Sequence, residues 1–287
     1  MERLRAGYCV RINPFNRNMR QYISFSQCNT VVFWSKNPAP LIPFLTELAG
    51  CGIKSYFQFT LNEYVAERLE PNVPSLERRI ATFMQLSDLI GRANVVWRFD
   101  PIFLGEALTI ERILEKIRRL GQHLSHYTEK LVFSFADIDR YKKVQNKLRQ
   151  QQRALREPSP PEMHALAQGL AELNARFSHP MMLASCAEKI DLSEYGIQHN
   201  CCVGTPGAAQ CDARLKDPGQ RRDCGCLASK DIGGYGTCPH MCVYCYANPA
   251  EALVASNMAR LKAGSESLLP GGRVHEKSVK DALNGIE

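Results

Sequence analysis

Residues 95–121 read Val95-Val-Trp-Arg-Phe-Asp-Pro-Ile-Phe-Leu-Gly-Glu-Ala-Leu-Thr109-Ile-Glu-Arg-Ile-Leu-Glu-Lys-Ile-Arg-Arg-Leu-Gly121. The opening Val95-Val96-Trp97 is short, apolar, and β-branched or aromatic, as suits a strand buried on both faces. Thr109 can then cap a helix with Ile113, Leu114, Ile117 and Leu120 along one stripe, and Gly121 is expected to end it. The same rhythm recurs on both sides. Further strand candidates are Val31–Trp34, Ser55–Phe59, Leu131–Phe135 and Met181–Leu183. Helices are expected from Asn37-Pro38 to about Ala49, from Ser75 with Ile80, Phe83 and Leu86 inward, and from Ser159-Pro160 with Met163, Leu166, Leu170, Leu173 and Phe177 inward. Successive βα units predict a parallel α/β architecture. Crossovers of one hand favour a (β/α) barrel or partial barrel, TIM-like, over residues 1–190. An open doubly wound sheet is the alternative, but no Gly-rich dinucleotide fingerprint follows a strand.

The chain of 287 residues, 45% hydrophobic, can bury a full core. It has no stretch of membrane-spanning length and no signal peptide at its start, so a cytoplasmic protein without a membrane is expected. Its net charge of +7 matches that of residues 140–156 alone, where Arg140, Lys142, Lys143, Lys147, Arg149, Arg153 and Arg156 meet no acidic residue. Such a run can bind nucleic acid, but with only Tyr141 to stack on a base a solvated basic segment is the simpler expectation.

In α/β folds, sites gather at the C-terminal ends of strands. Lys36, Gln58, Arg98, Asp100 and Glu188 fall there and are the candidate catalytic residues, although Arg98 with Asp100 also reads as a structural ion pair. After Glu188 the character changes. Residues 191–287 form a cysteine-rich cluster-binding segment that includes a helix from about Pro249 to Lys262 and a polar tail.

Of the 12 cysteines, nine lie between Cys186 and Cys245. Without a secretory signal, such crowding points to metal rather than to a disulfide scaffold. Cys238, Cys242 and Cys245 have the spacing C-x3-C-x2-C, which lets three thiolates bind different irons of one cubane. Nearby glycines let the backbone fold tightly, and Tyr244 and Tyr246 can shield a cluster. Three ligands leave one iron of a [4Fe–4S] cluster open. Cys224, Cys226, Cys186 and His240 are candidate fourth ligands. The Cys201-Cys202 pair and Cys224-Gly-Cys226, with Cys211 between, also offer a second metal site. Zinc sites usually pair two C-x2-C knuckles, and only Cys242-x2-Cys245 has that form.

The final loop, with Tyr244 before its third cysteine, resembles the cluster loop of radical S-adenosylmethionine (SAM) enzymes. That resemblance implies Cys238, Cys242 and Cys245 as ligands, Tyr244 beside the cofactor, SAM on the open iron, and an electron donor such as a ferredoxin or flavodoxin. In those enzymes the loop follows the first strand of the barrel; here it follows five strand candidates. The whole chain resembles a narrower group, the DUF1848 family of uncharacterised bacterial proteins with a C-terminal radical-SAM-like cysteine cluster. The likeness rests on Gly7-Tyr-Cys9, Arg11–Asn16, Val32–Pro38, Tyr56–Thr60, Leu69–Pro74, Trp97–Pro101, Cys186–Glu188, Asp191–Gly196, Cys224–Cys226, Ser229–Ile232 and the final loop. Members look longer at the N-terminus, so a missing first strand and an exposed sheet edge beside Val31 are expected.

The first expectation is therefore an iron–sulfur protein, radical SAM-like, acting on a small-molecule or anionic substrate. A closed-cluster electron-transfer or redox-sensing protein, and a zinc-stabilised nucleic-acid-binding protein, are the alternatives.

Overall fold

The computed structural model describes residues 1–13, 16, 19–204 and 224–269. A short helix α1 (Glu2–Arg5) leads into a hairpin of β1 (Tyr8–Ile12) and β2 (Arg20–Ser24). There follow β3 (Thr30–Ser35), α2 (Leu45–Gly50), β4 (Lys54–Thr60), α3 (Leu76–Ile90), β5 (Val95–Ile102), the two-residue β6 (Leu104–Gly105) and α4 (Ile110–Leu124). Then come β7 (Lys130–Phe135), α5 (Lys142–Gln150), β8 (Leu155–Arg156), α6 (Pro160–Asn174), β9 (Met182–Ser185), β10 (Gln198–His199) and α7 (Glu251–Arg260). Among these helices none is long and apolar enough to cross a membrane.

All five expected strands are present, in one six-stranded sheet of order β10-β9-β7-β5-β4-β3. Every pair in it is parallel. The order is sequential, without the reversal of a doubly wound sheet. The sheet is open among the described residues: β3 and β10 are its two edges. A complete (β/α) barrel uses eight strands, and β10 offers only two residues for further pairing. The exposed edge expected beside Val31 is found, with Trp34 half exposed on β3. The hairpin β1–β2 was not expected from the sequence.

Side chains alternate across a strand, and the two faces differ. Phe57 and Phe59, Val95, Trp97 and Phe99, Leu131 and Phe133, and Leu183 join the inward stripes of α2, α3, α4 and α6 in one core. The opposite face carries Tyr56 and Gln58, Arg98, Lys130 and Ser134, with only a small apolar patch of Val96, Val132 and Ala184 beside Cys186.

Local chemistry explains the helix boundaries. The Ser75 and Thr109 side chains accept the amides of Arg78 and Arg112, and Ser159 forms a full capping box with Glu162. Two expectations need correction. The stretch after Asn37 is a 3-10 helix over Ala39–Phe44, with α2 beginning only at Leu45, because Pro43 lacks an amide proton. Gly121 does not stop α4: a Cβ there would stand 2.1 Å from the Phe177 ring, so the glycine is a packing notch inside the helix. The basic run forms α5, and α7 confirms the helix expected after Pro249.

Candidate functional site

The C-terminal ends of β4 and β5, with the loops beyond them, support two groups of polar residues and thiols. The first surrounds Glu70. This residue lies in the loop 61–75 between β4 and α3, which is long for a βα connection. Its carboxylate is buried and takes the Lys36 ammonium at 2.8 Å, the Asn62 amide at 3.0 Å and the Arg79 guanidinium at 3.2 Å. The Tyr244 hydroxyl also donates to it. Burial opposes the charge on Glu70, but Lys36, Tyr244 and Arg79 together hold its carboxyl below the usual range. The Lys36 ammonium also lies over the Tyr244 ring, 5.5 Å from its centre.

Tyr244 brings the Cys238–Cys245 loop into this group. The Val243 amide donates to the Leu69 carbonyl at 2.9 Å, and the Asn72 side chain to the Pro239 carbonyl at 3.0 Å. The buried Asn248 donates to the Cys238 carbonyl at 2.7 Å. Lys147, from the basic run, donates to the carbonyls of Cys245 at 3.2 Å and Asn248 at 2.7 Å. Part of that run is thus turned inward to hold the cysteine loop. Met241 adopts a left-handed backbone at φ +51°, and the Cys245 amide closes a tight turn onto the Cys242 carbonyl. All three cysteines are free thiols. Lys36 acts on both Cys238 and Cys242 electrostatically, and Glu70 on Cys242. Burial pushes the Cys242 thiol up to about 12.

The second group sits on the opposite, polar face of the sheet. Arg98, buried on β5, grips Asp100 through Nε at 3.1 Å and Nη2 at 2.6 Å. Its Nη1 donates to Gln58 at 3.2 Å and to the Cys202 sulfur at 3.1 Å. The Gln58 amide and the Tyr56 hydroxyl both donate to the Cys202 carbonyl, at 3.1 and 2.9 Å. Asp100 also accepts the Ser134 hydroxyl, and with Arg98 beside it its carboxyl is lowered in spite of burial. Glu188 accepts the Phe135 amide at 2.8 Å, and burial pushes its carboxyl up to about 7.

The candidate residues therefore divide. Lys36 and Tyr244 lie with Cys238, Cys242 and Cys245, whereas Gln58, Arg98 and Asp100 lie with Cys202, and Glu188 feels Cys186, Asp100 and Asp137. Cys226 lies against Cys202 and Val203, its neighbour Cys224 is beside it, and Nδ1 of His240 is against the Asn72 carbonyl. Cys201 is disulfide-bonded, and Cys211 lies outside the described residues. Lys36 and Arg98 are both already ion-paired. Asn62 links the groups: its amide nitrogen faces Glu70 at 3.0 Å, the Asp100 carbonyl at 2.9 Å and the Tyr244 hydroxyl at 3.2 Å, while its oxygen accepts the Asp100 amide at 2.9 Å. Among the described residues, no three His, Cys, Asp or Glu side chains are gathered as they would be around a bound ion.

Glu70, Asn62 and Arg79 were not singled out from the sequence, and Lys147 was named only as one charge of the basic run. Two signals were present. The loop 61–75 is long, and Arg79 occupies the core-facing stripe of α3, four residues before Phe83 and seven before Leu86.

A sequence profile of DUF1848, a domain of unknown function, matches residues 1–247. No curated protein and no solved structure matches the chain.

Proposed function

The chain belongs to the DUF1848 family, and from that premise we propose that it is an iron–sulfur protein of radical SAM-like type. The reading is carried by one observation: three free thiols in C-x3-C-x2-C spacing occupy a single tightly turned loop beside the C-terminal ends of a singly wound parallel sheet. The donor set is soft and thiolate-rich, which suits a [4Fe–4S] cluster. Cys238, Cys242 and Cys245 would hold it. The engagement of Cys226 with Cys202 supports a three-thiolate set with one iron open to SAM. When bound, such a group supplies a one-electron reductant, fed by a ferredoxin or flavodoxin, that cleaves SAM to a radical. The six strands are then part of a (β/α) barrel whose mouth the cysteine loop covers.

The residues around the loop have definable tasks. Asn248 and Lys147 fix its carbonyls, so the backbone that carries the thiols is pinned at both ends of the loop. Tyr244 walls the loop from Glu70, and the aromatic contact of Tyr244 with Phe103 at 5.3 Å keeps that wall dry. Lys36 is neutralised by Glu70, so an anionic substrate or the SAM carboxylate has to compete with that carboxylate for it. Loading the buried Cys242 releases a proton, since the ligand is the thiolate.

The test is anaerobic reconstitution with iron and sulfide, followed by electron paramagnetic resonance of the reduced chain. A [4Fe–4S] signal that shifts when SAM is added is expected, and Cys242→Ala should abolish it. A cluster indifferent to SAM would assign the chain to closed-cluster electron transfer. Absence of any cluster would overturn the reading.

A further inference from the structure

The basic run divides once its side chains are placed. Arg140 faces Asp137 at 3.7 Å, and Arg156 is paired with Glu162 at 2.6 Å. Arg153 donates to the Glu67 carbonyl at 2.9 Å, and Lys147 holds the cysteine loop. Lys142, Lys143 and Arg149 remain. They are exposed on α5 and have neither an ion pair nor a side-chain hydrogen bond among the described residues. The helix turns Val144 and Leu148 into the core and carries no acidic residue. Its solvent face is therefore cationic.

This face works against its own helix. Lys142 and Lys143 stand in the first turn, at the positive end of the helix dipole, where acidic side chains are favoured. The Tyr141 side chain makes no capping hydrogen bond there. Lys143 also lies one turn before Lys147, a like-charge pair that costs helix stability. A local rule broken without a gain inside the fold points to a role outside it.

The helix is also tied to the cysteine loop. Lys147 donates to the carbonyls of Cys245 and Asn248. Tyr141, the residue before Lys142, stacks on Tyr246, the residue after Cys245, with ring centres 4.7 Å apart and planes at 12°. Tyr246 is itself exposed. The cationic face thus begins one residue from a ring pair whose other member adjoins the third cysteine.

Charge and size decide the partner. Uncompensated cations attract an acidic surface and speed its encounter. Nucleic-acid affinity grows with the number of phosphates neutralised, and three cations neutralise few. Tyr141 and Tyr246 also stack on each other rather than presenting both ring faces to bases. A small contact is instead typical of electron-transfer encounters. Resting on the reading of the Cys238–Cys245 loop as a cluster site, we propose that the solvent face of α5, centred on Lys142, Lys143 and Arg149, docks a small acidic one-electron carrier protein beside the Tyr141–Tyr246 pair. The transfer passes one electron: the carrier is oxidised, the cluster is reduced, and no bond forms or breaks.

The experiment uses the full chain and an acidic flavodoxin, with association followed by surface plasmon resonance at low ionic strength. Lys142→Glu combined with Lys143→Glu should slow association at least about tenfold, and Arg149→Gln about threefold. Added salt should slow the unmutated chain toward the double variant. Carboxylates suit the first turn of α5, so the double variant should keep its urea midpoint, which separates lost docking from lost fold. In the reconstituted chain, reduced flavodoxin should raise the cluster's electron paramagnetic resonance signal more slowly in the double variant by the same factor. Dithionite, which needs no docking face, should raise it equally in both. Absence of a dithionite signal from both chains would strike the cluster reading. A dithionite signal in both, with flavodoxin association unchanged by the substitutions and by salt, would overturn the docking face alone. So would a single-stranded oligoribonucleotide that binds this face more tightly than flavodoxin does.

Discussion

The two faces of the central sheet are built from the same strands and differ in almost everything else. One face buries Phe57, Phe59, Trp97 and Phe133 under four helices. The other sets Tyr56, Gln58, Arg98 and Ser134 against loops that carry cysteine. Successive residues of β5 alternate between these duties: Trp97 is core, and Arg98, equally buried, is hydrogen-bonded to a sulfur, an amide and a carboxylate. Burial alone thus does not separate structure from chemistry. The partner does. On the apolar face any well-shaped hydrocarbon serves, whereas on the polar face each donor needs its own acceptor.

If this contrast is right, truncating the apolar face should cost the most stability. Trp97→Ala is expected to lower unfolding stability by about 3–5 kcal/mol, seen as a lower urea midpoint. Such a variant also orphans the Leu61 carbonyl, which the indole now bonds at 3.0 Å. Glu70→Gln should come next, at about 3 kcal/mol, because Arg79 and Lys36 lose their counter-charge and Arg79 is buried. It should also change the acid response. Glu70 has a folded pKa below its unfolded value, so its contribution is present above about pH 4.3 and is lost as pH falls through the lower folded value. Urea melts of the two chains between pH 7 and pH 3 should therefore converge at the acid end. Gln58→Ala removes one bond to Arg98 and one to the Cys202 carbonyl, and about 1–2 kcal/mol is expected. Its sharper signature is faster hydrogen exchange at the Gly204 amide, which rests on Tyr56 beside it. The smallest effect should be that of Ser159→Ala, about 1 kcal/mol, confined to the start of α6. A polar-face variant as costly as Trp97→Ala would break the distinction.

The apolar face was legible in the sequence because periods of 2 and 3.6 are local signals. The five strands and the caps at Ser75, Thr109 and Ser159 follow from them. Gly121 misled because a stop glycine and a packing glycine look alike until Phe177 is placed. The polar face was half legible. Position at strand ends marked Lys36, Gln58, Arg98 and Asp100, but their partners arrive from residues more than 30 positions away, as with Lys36 and Glu70 or Arg98 and Cys202. No local pattern carries that pairing. The hairpin β1–β2 and the two-residue β10 were missed for a similar reason, since their pairing partners rather than their own composition make them strands.

Asn62 carries a last consequence. Its amide nitrogen bears two hydrogens and faces three acceptors: Glu70, the Asp100 carbonyl and the Tyr244 hydroxyl. At any instant one of them goes short. The side chain is a ballot with two votes and three candidates, and a shift of any one acceptor changes what is left for the other two.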